Sequence, residues 1–202
     1  YREERARERQ KKQEQVLGET QRPSLQVTRA DGTRGPLDEV RLRRIVDEAC
    51  QGIANTEATV ILEETTRSLF DGVAEDDVSK ALVMSARMYI EREPNYSLVA
   101  ARLLMDSFRQ EALSFIGNHA DAATQNEMTE RYPHYFEAYI KRSIDLELMD
   151  PRLGNFDLKR LGAAIEANRD FQFNYLGLQT LYDRYFLQSD GTRFELPQAF
   201  FM

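Results

Sequence analysis

The side chains most able to carry chemistry in this sequence are one thiol and two imidazoles. Cys50 is the only cysteine among the 202 residues, which excludes an internal disulfide and a zinc site built from several thiolates. His119 and His134 lack the nearby His, Cys or carboxylate partners that a metal ion requires. The sequence therefore predicts no metal site, and Cys50 is interpreted as a buried structural thiol.

Carboxylates cluster at residues 75–77, Glu-Asp-Asp, directly before a helical pattern. Such a cluster is compatible with calcium, but carboxylates also stabilise the positive end of a helix dipole. We favour the second explanation and predict a helix that begins at Glu75.

The chain is acidic, with 34 Asp and Glu against 27 Lys and Arg and a net charge of −7. This argues against a nucleic-acid partner, which needs a concentrated basic face. Residues 1–22 carry seven Lys or Arg and five Glu, a balance of +2 that leaves −9 elsewhere. We interpret this segment as a solvated helix or arm. No apolar run approaches the roughly 18 to 20 residues of a membrane span, and without a signal-peptide pattern the cytoplasm is the expected compartment.

The elements that must position any site begin at Leu25. Residues 25–29 alternate apolar and polar, and Asp31-Gly32 indicates a tight turn with positive φ, so a β-hairpin is predicted. Apolar stripes then predict helices over residues 38–54, 56–70, 75–92 and 96–116. Asp38 is the expected N-cap of the first helix, and Pro94 closes the third.

Beyond Gly117 the helical pattern becomes aromatic, with a stripe at Tyr132, Tyr135, Phe136, Tyr139 and Ile140. We interpret this stripe as core packing rather than as a base-stacking platform. Asp157 is predicted to open another helix, and a further helix carries residues 178–185. A second Asp-Gly pair at residues 190–191 predicts a hairpin whose second strand ends at Pro197.

Three segments resemble the large (α) subunit of class I ribonucleotide reductase. Residues 27–42, Val-Thr-Arg-Ala-Asp-Gly-Thr-Arg-Gly-Pro-Leu-Asp-Glu-Val-Arg-Leu, resemble the opening of an ATP-cone, the regulatory domain of that family. Residues 91–104 resemble the segment that joins the cone to the catalytic domain, and residues 171–202 resemble the start of that domain. The implied fold is mainly α: an ATP-cone-like four-helix domain with a small β-hairpin cap, followed by a helical segment and a terminal β-hairpin.

The resemblance also implies a domain order. Residues 1–24 are expected to be the tail of a preceding cone helix plus a linker, residues 25–117 the ATP-cone-like domain, and residues 118–202 the helical N-terminal part of the catalytic domain. In this family the reacting cysteines lie further downstream. We therefore expect no catalytic residue in this chain and no reductase activity from it alone.

A cone senses ATP and dATP by holding the triphosphate with basic side chains. The resemblance assigns the nucleotide-binding positions to Arg29, Asp31, Gly32, Asp38 and Arg41. Arg29 and Arg41 stand where the family usually has lysines, so two cations are kept.

Other nucleotide contacts are lost relative to the family. Ala30 replaces an arginine and Gly35 an acidic residue; Ser79 and Ser107 replace histidines, Glu75 a threonine and Gln110 a lysine. Each charge-assisted contact contributes roughly 1.5 to 3 kcal/mol, so we predict a cone that keeps its scaffold but does not bind nucleotide. The alternative is a functional allosteric module in which Arg29 and Arg41 still hold a triphosphate.

The partners implied are the radical-generating β subunit and other α subunits of the parent enzyme, with ATP and dATP as its effectors and no cofactor in this chain. A homo-oligomer is left open. A cone-containing transcriptional repressor is excluded, since that family needs a zinc ribbon of several cysteines. Arg102 is interpreted as a partner for a carboxylate or a helix C-terminus. Four aromatic residues are expected to pack on downstream strands: Tyr182, Tyr185, Phe200 and Phe201.

Overall fold

The computed structural model describes residues 25–29 and 31–202, which belong to two compact units. The first unit holds the described residues up to Leu37 together with Phe70–Glu75; the second holds Asp38–Leu69 and Asp76–Met202. The predicted helix tail and linker in residues 1–24 lie outside the described residues, as does Ala30. In the part of the chain that is described, no helix is both long enough and apolar enough to cross a membrane.

Three short strands form the sheet of the first unit. β1 (Gln26–Thr28) pairs antiparallel with β2 (Arg34–Pro36) and parallel with β3 (Val73–Ala74). The predicted hairpin is confirmed, but of its two turn residues only Gly32 has positive φ, at 81°. The connection is longer than a two-residue turn: the Arg29 N–H donates to Thr33 O at 2.9 Å, so one left-handed residue is enough to reverse the chain.

Four helices follow where the apolar stripes predict them: α1 (Glu39–Cys50), α2 (Ala58–Ser68), α3 (Glu75–Met88) and α4 (Tyr96–Gly117). The acidic run at residue 75 does begin α3. Three of the helices end earlier than predicted: α1 at Cys50 rather than near Ala54, α2 at Ser68 rather than Phe70, and α3 at Met88 rather than Arg92. Beyond these helix ends the apolar spacing continues, but the chain forms turns instead of a helix. In one of these turns the Arg92 N–H donates to Tyr89 O at 3.0 Å.

The second half of the chain contains α5 (Gln125–Asp145), α6 (Leu158–Ala163), α7 (Tyr175–Arg184) and α8 (Pro197–Phe201), with 3-10 helices at Pro151–Asn155 and Ala167–Gln172. A reciprocal capping box between Thr124 and Glu127 begins α5. Asp157 caps α6 as predicted, because its carboxylate accepts the Arg160 N–H.

The second hairpin pairs β4 (Gln188–Ser189) with β5 (Thr192–Arg193). Asp190 and Gly191 both have positive φ, at 50° and 84°, as a two-residue turn demands. The predicted extent was wrong at one end: the second strand stops at Arg193, and Pro197 opens α8, where its missing N–H costs nothing.

The aromatic stripe of α5 lies in the core of the second unit, as predicted. Tyr132, Tyr135 and Tyr139 are at most 3% exposed. Their hydroxyls donate to groups inside the unit: Tyr132 to Asp170 Oδ2 at 2.6 Å, Tyr135 to Phe194 O at 2.7 Å, and Tyr139 to Glu195. These rings therefore serve packing and leave no face for a base.

A close crossing of α6 over α5 depends on one glycine. α5 continues through Pro133, which lacks a backbone N–H. A Cβ atom on Gly162 would lie 2.8 Å from Pro133 O, closer than side-chain carbons are found in proteins. Only glycine lets the two backbones approach this closely.

Candidate nucleotide site and the buried polar network

Three of the five candidate nucleotide residues lie in the connection between β1 and β2. The Asp31 carboxylate accepts hydrogen bonds from the Thr33 N–H at 2.8 Å and the Thr33 hydroxyl at 2.6 Å. Both hydrogen bonds lower the pKa of Asp31, and the one from the hydroxyl has the larger effect. The Arg29 guanidinium lies against Gly35, where a Cβ would be 3.0 Å from its Nη2 atom. The candidate positions of the hairpin thus supply one cation and one carboxylate.

The other two candidates, Asp38 and Arg41, lie at the start of α1. Asp38 Oδ1 accepts the Arg41 N–H at 2.8 Å, so a carboxylate of the chain itself occupies the end of the helix that attracts anions. The Arg41 guanidinium extends to Asp106 on α4, with 3.4 Å between Nη2 and Oδ2. Its side chain is 29% exposed and that of Asp106 only 7%.

Asp106 is shared between two guanidinium groups. Its Oδ1 atom lies 3.3 Å from Nη2 of Arg109, whose side chain is 4% exposed. Arg109 also donates to Ala123 O at 2.9 Å and to Gln125 Oε1 at 2.8 Å. The sequence prediction missed this buried pair. Opposite charges three residues apart inside an apolar stretch of helix were the available signal, since such residues are rarely buried unless paired.

The hydrogen bonds continue from Arg109 into the second half of the unit. Gln125 Nε2 donates to Ala167 O at 2.7 Å and lies 3.3 Å from Asp170 Oδ2. Asp170 also accepts from the Tyr132 hydroxyl and from Gln198 Nε2, at 2.6 and 2.9 Å. Burial raises the pKa of Asp170 despite these hydrogen bonds, and burial also raises that of Tyr132. The network joins α1, α4, α5, the second 3-10 helix and α8.

Among the positions where the family's nucleotide contacts are predicted to be lost, three uncharged ones lie on α3 and α4. Ser79 on α3 and Ser107 and Gln110 on α4 are half-buried. In sequence, Ser107 lies between Asp106 and Arg109, and Gln110 directly follows Arg109. Glu48 faces the same cluster from α1, and burial raises its pKa above the ordinary carboxylate value.

Arg102 has the structural role that was predicted for it. Its Nη1 atom donates to Ala49 O at 3.1 Å and to Gln51 O at 2.7 Å, at the C-terminus of α1. Its guanidinium also stacks over Phe171, 4.1 Å from the ring centroid. Arg102 therefore ties α4 to α1 and to the second 3-10 helix.

Cys50 is half-buried rather than buried, because α1 ends at this residue. Burial nevertheless raises the pKa of its thiol, so the reactive thiolate is disfavoured. His119 and His134 are exposed. Among residues 25–29 and 31–202, no three His, Cys, Asp or Glu side chains are grouped as a metal ion would need.

Comparison with known protein families defines the class of the first half. Residues 25–111 match the ATP cone domain, which corresponds here to the sheet, α1 to α3 and most of α4. The match ends within α4, whose helix continues to Gly117.

The whole chain is similar to ribonucleoside-diphosphate reductase subunits alpha. Identity is 36% over 207 residues with the Chlamydia muridarum subunit and covers 100% of this chain. It is 27% over 180 residues with the Helicobacter pylori subunit (88% of this chain) and 24% over 170 residues with subunit alpha of Escherichia coli reductase 1 (84%). The chain therefore corresponds to the N-terminal, ATP-cone region of ribonucleoside-diphosphate reductase α subunits. It spans 19% to 21% of the length of these relatives.

Proposed function

We propose that this chain is a regulatory and structural N-terminal part of a ribonucleoside-diphosphate reductase α subunit, and that its ATP cone does not bind nucleotide. The parent enzyme would act in the cytoplasm with a β subunit and with other α subunits. ATP and dATP would be effectors of that enzyme and bind outside this cone.

The charge balance of the five candidate positions carries the proposal. Two arginines, Arg29 and Arg41, are matched by two aspartates, Asp31 and Asp38, and both carboxylates are hydrogen-bonded within their own turns. A triphosphate carries several negative charges and is held by an excess of cationic donors. The five candidate positions together have no net charge, so they do not supply the excess of cationic donors that a triphosphate needs.

A structural role is supported by the packing of α4 on both sides within the second unit. On one side Arg102 holds the end of α1. On the other, Phe108 stacks on Tyr182 with 4.0 Å between ring centroids, and Glu111 accepts from the Tyr182 hydroxyl at 2.6 Å. A single helix, α4, thus connects the cone match to the segment beyond it.

We expect the chain alone to have no reductase activity. Ribonucleotide reduction takes two electrons from a pair of thiols, and the chain has one cysteine, whose thiol is half-buried. An assay with ribonucleoside diphosphate, a β subunit and a dithiol reductant should give no deoxyribonucleotide above the rate without the chain. Turnover that depends on this chain would contradict the expectation.

Nucleotide binding is tested by melting the chain with dATP, ATP and magnesium, and by titration calorimetry. A ligand at about one hundred times its dissociation constant stabilises a protein by roughly 2.7 kcal/mol. We expect no shift of the melting temperature with millimolar nucleotide. A saturable shift with a micromolar dissociation constant would overturn the proposal and favour the functional module, in which the exposed Arg29 still acts.

Restoring cations tests whether the scaffold is intact. In the double variant Ala30→Arg/Gln110→Lys the cone regains two of the side chains that the family resemblance assigns to these positions, so dATP binding should appear. The matched control Gln172→Arg/Gln188→Lys adds the same charge at exposed glutamines to which the family resemblance assigns no nucleotide contact, and it should not bind. Equal binding by both variants would show nonspecific attraction.

A further inference from the structure

Asp106 places a carboxylate beside two positions of α4 where the family's nucleotide contacts are predicted to be lost. The next residue, Ser107, stands where the family resemblance places a histidine, and Gln110, one turn later, where it places a lysine. A buried carboxylate at this point of the helix is unfavourable for a phosphate ligand. It must have a role of its own, because an ionised group with 7% side-chain exposure is costly unless it is paired.

The geometry divides the two carboxylate oxygens of Asp106 between two cations from different helices. Oδ2 faces Arg41 of α1 at 3.4 Å, and Oδ1 faces Arg109 of α4 at 3.3 Å. Arg109 is closed off from solvent and has two further acceptors, Ala123 O and Gln125 Oε1. Arg41 remains 29% exposed, and it is the member of the cluster that a ligand can approach from solvent.

We propose that Asp106 is a built-in counter-anion that occupies Arg41 and thereby keeps polyphosphates from binding at the first helix of the cone. This inference rests on the proposed function, for which it supplies a physical reason. A polyphosphate that took Arg41 would leave Asp106 buried beside one guanidinium and would bring a second anion close to it. Glu48 and Asp170 also interact with Arg109 from neighbouring elements, so three carboxylates share that guanidinium.

The test uses inorganic tripolyphosphate and dATP as probes in calorimetric titrations of the 202-residue chain. Asp106→Asn keeps the shape and removes the charge, and we expect affinity for both probes to rise at least about tenfold, the worth of one charge-assisted contact. Asp106→Asn/Arg41→Gln should lose that gain. Asp121→Asn is the matched control, because Asp121 pairs with Arg131 at 2.7 Å and its removal should leave affinity unchanged.

The outcomes separate this inference from the proposed function. No binding by the unmodified chain and none by Asp106→Asn would overturn the counter-anion while leaving the cone silent. Micromolar dATP binding by the unmodified chain, further increased in Asp106→Asn through Arg41, would support the counter-anion and overturn the silent cone. A gain that persists in Asp106→Asn/Arg41→Gln would overturn the inference as well.

A second measurement needs no variant that disturbs the core. Arginine side chains of the unmodified chain, labelled with ¹⁵N, are followed by NMR during a tripolyphosphate titration. The Nε–H signal of Arg41 should stay in place, whereas that of exposed Arg43 on the same helix should drift with weak, unsaturable contact. A saturable shift of Arg41 would refute its occupation by Asp106.

Discussion

The hairpin of the first unit and α4 of the second unit hold their charged residues in different ways. In the hairpin, Arg29 is exposed and the Asp31 carboxylate accepts hydrogen bonds from Thr33, two residues away. In α4, Asp106 and Arg109 are buried, and their partners come from residues 41, 123 and 125. The first arrangement is local and solvated, and the second is distributed over several elements.

This difference indicates which charged residues of the cone can be replaced without a large loss of stability and which cannot. An exposed charge contributes little to stability, because water replaces its partner. A buried pair is different, since removing one member leaves the other desolvated and unpaired. The surface positions of the cone can therefore change without unfolding it, while the α4 network is tied to the packing of the whole second unit.

The largest expected effect comes from removing the buried guanidinium. Arg109→Ala leaves two buried acceptors without their donor and Asp106 with only one of its two guanidinium partners, so we expect a loss of about 3 to 5 kcal/mol in the free energy of unfolding. Urea denaturation at pH 7 measures it. Arg29→Ala in the hairpin is the control and should cost less than about 0.5 kcal/mol. Equal losses would remove the distinction between the two regions.

A smaller effect is expected at the crossing of α5 and α6. Gly162→Ala should destabilise the protein by about 1 to 3 kcal/mol, because the new Cβ meets the Pro133 backbone. Helix propensity alone predicts the opposite sign, a gain of up to about 1 kcal/mol. In the control Gly154→Ala, the nearest atom is Ile144 Cδ1 at an ordinary 3.6 Å, and stability should hardly change. A stabilised Gly162→Ala would show that the crossing tolerates a side chain.

Two aspartates, Asp31 in the hairpin and Asp170 in the network joined to α4, should give opposite pH dependences. The pKa of Asp170 is raised by burial, so the folded state binds its proton more tightly than the unfolded state. The contribution of Asp170 to the free energy of unfolding is therefore greatest in acid. It falls as the pH rises above about 4, the pKa of an aspartate in the unfolded chain. The pKa of Asp31 is lowered, so its contribution is present above about pH 4 and is lost as the pH falls.

Stability measured from pH 3 to 7 checks both signs. In the unmodified chain Asp170 lowers the stability as the pH rises, and Asp170→Asn should abolish that decrease. Asp31 raises the stability as the pH rises by a smaller amount, and Asp31→Asn should abolish that increase. Parallel pH profiles in the two variants would contradict the assigned environments.

The smallest effect concerns association through exposed aromatic residues. Two of the four aromatic residues expected to need downstream strands are packed within the second unit, since Tyr182 stacks on Phe108 and Phe200 contacts Phe186. Tyr185 and Phe201 remain 58% and 65% exposed. Such a surface favours self-association, so light scattering should show a concentration-dependent mass that decreases in Tyr185→Ser/Phe201→Ser. A monomer at every concentration would refute this.

Local sequence signals predicted most of the helices and their starts. Asp38 and Asp157 cap α1 and α6 as predicted, and Asp190-Gly191 forms a two-residue turn, because caps and turns depend on residues close in sequence. Helix ends were predicted less well, since apolar spacing continues past Cys50 and Met88 although the backbone hydrogen bonding changes. β3 was not predicted, because two residues carry no pattern of their own.

The sequence alone determined the mainly helical class and the aromatic core of α5, which follow from composition and periodicity. Its motifs also carried the resemblance to reductase α subunits. Only the tertiary structure decided that Asp106 joins Arg41 to Arg109 and that Arg102 holds the end of α1. Such pairings link residues 50 or more positions apart, and a partner at that distance is chosen by packing, which no local pattern encodes.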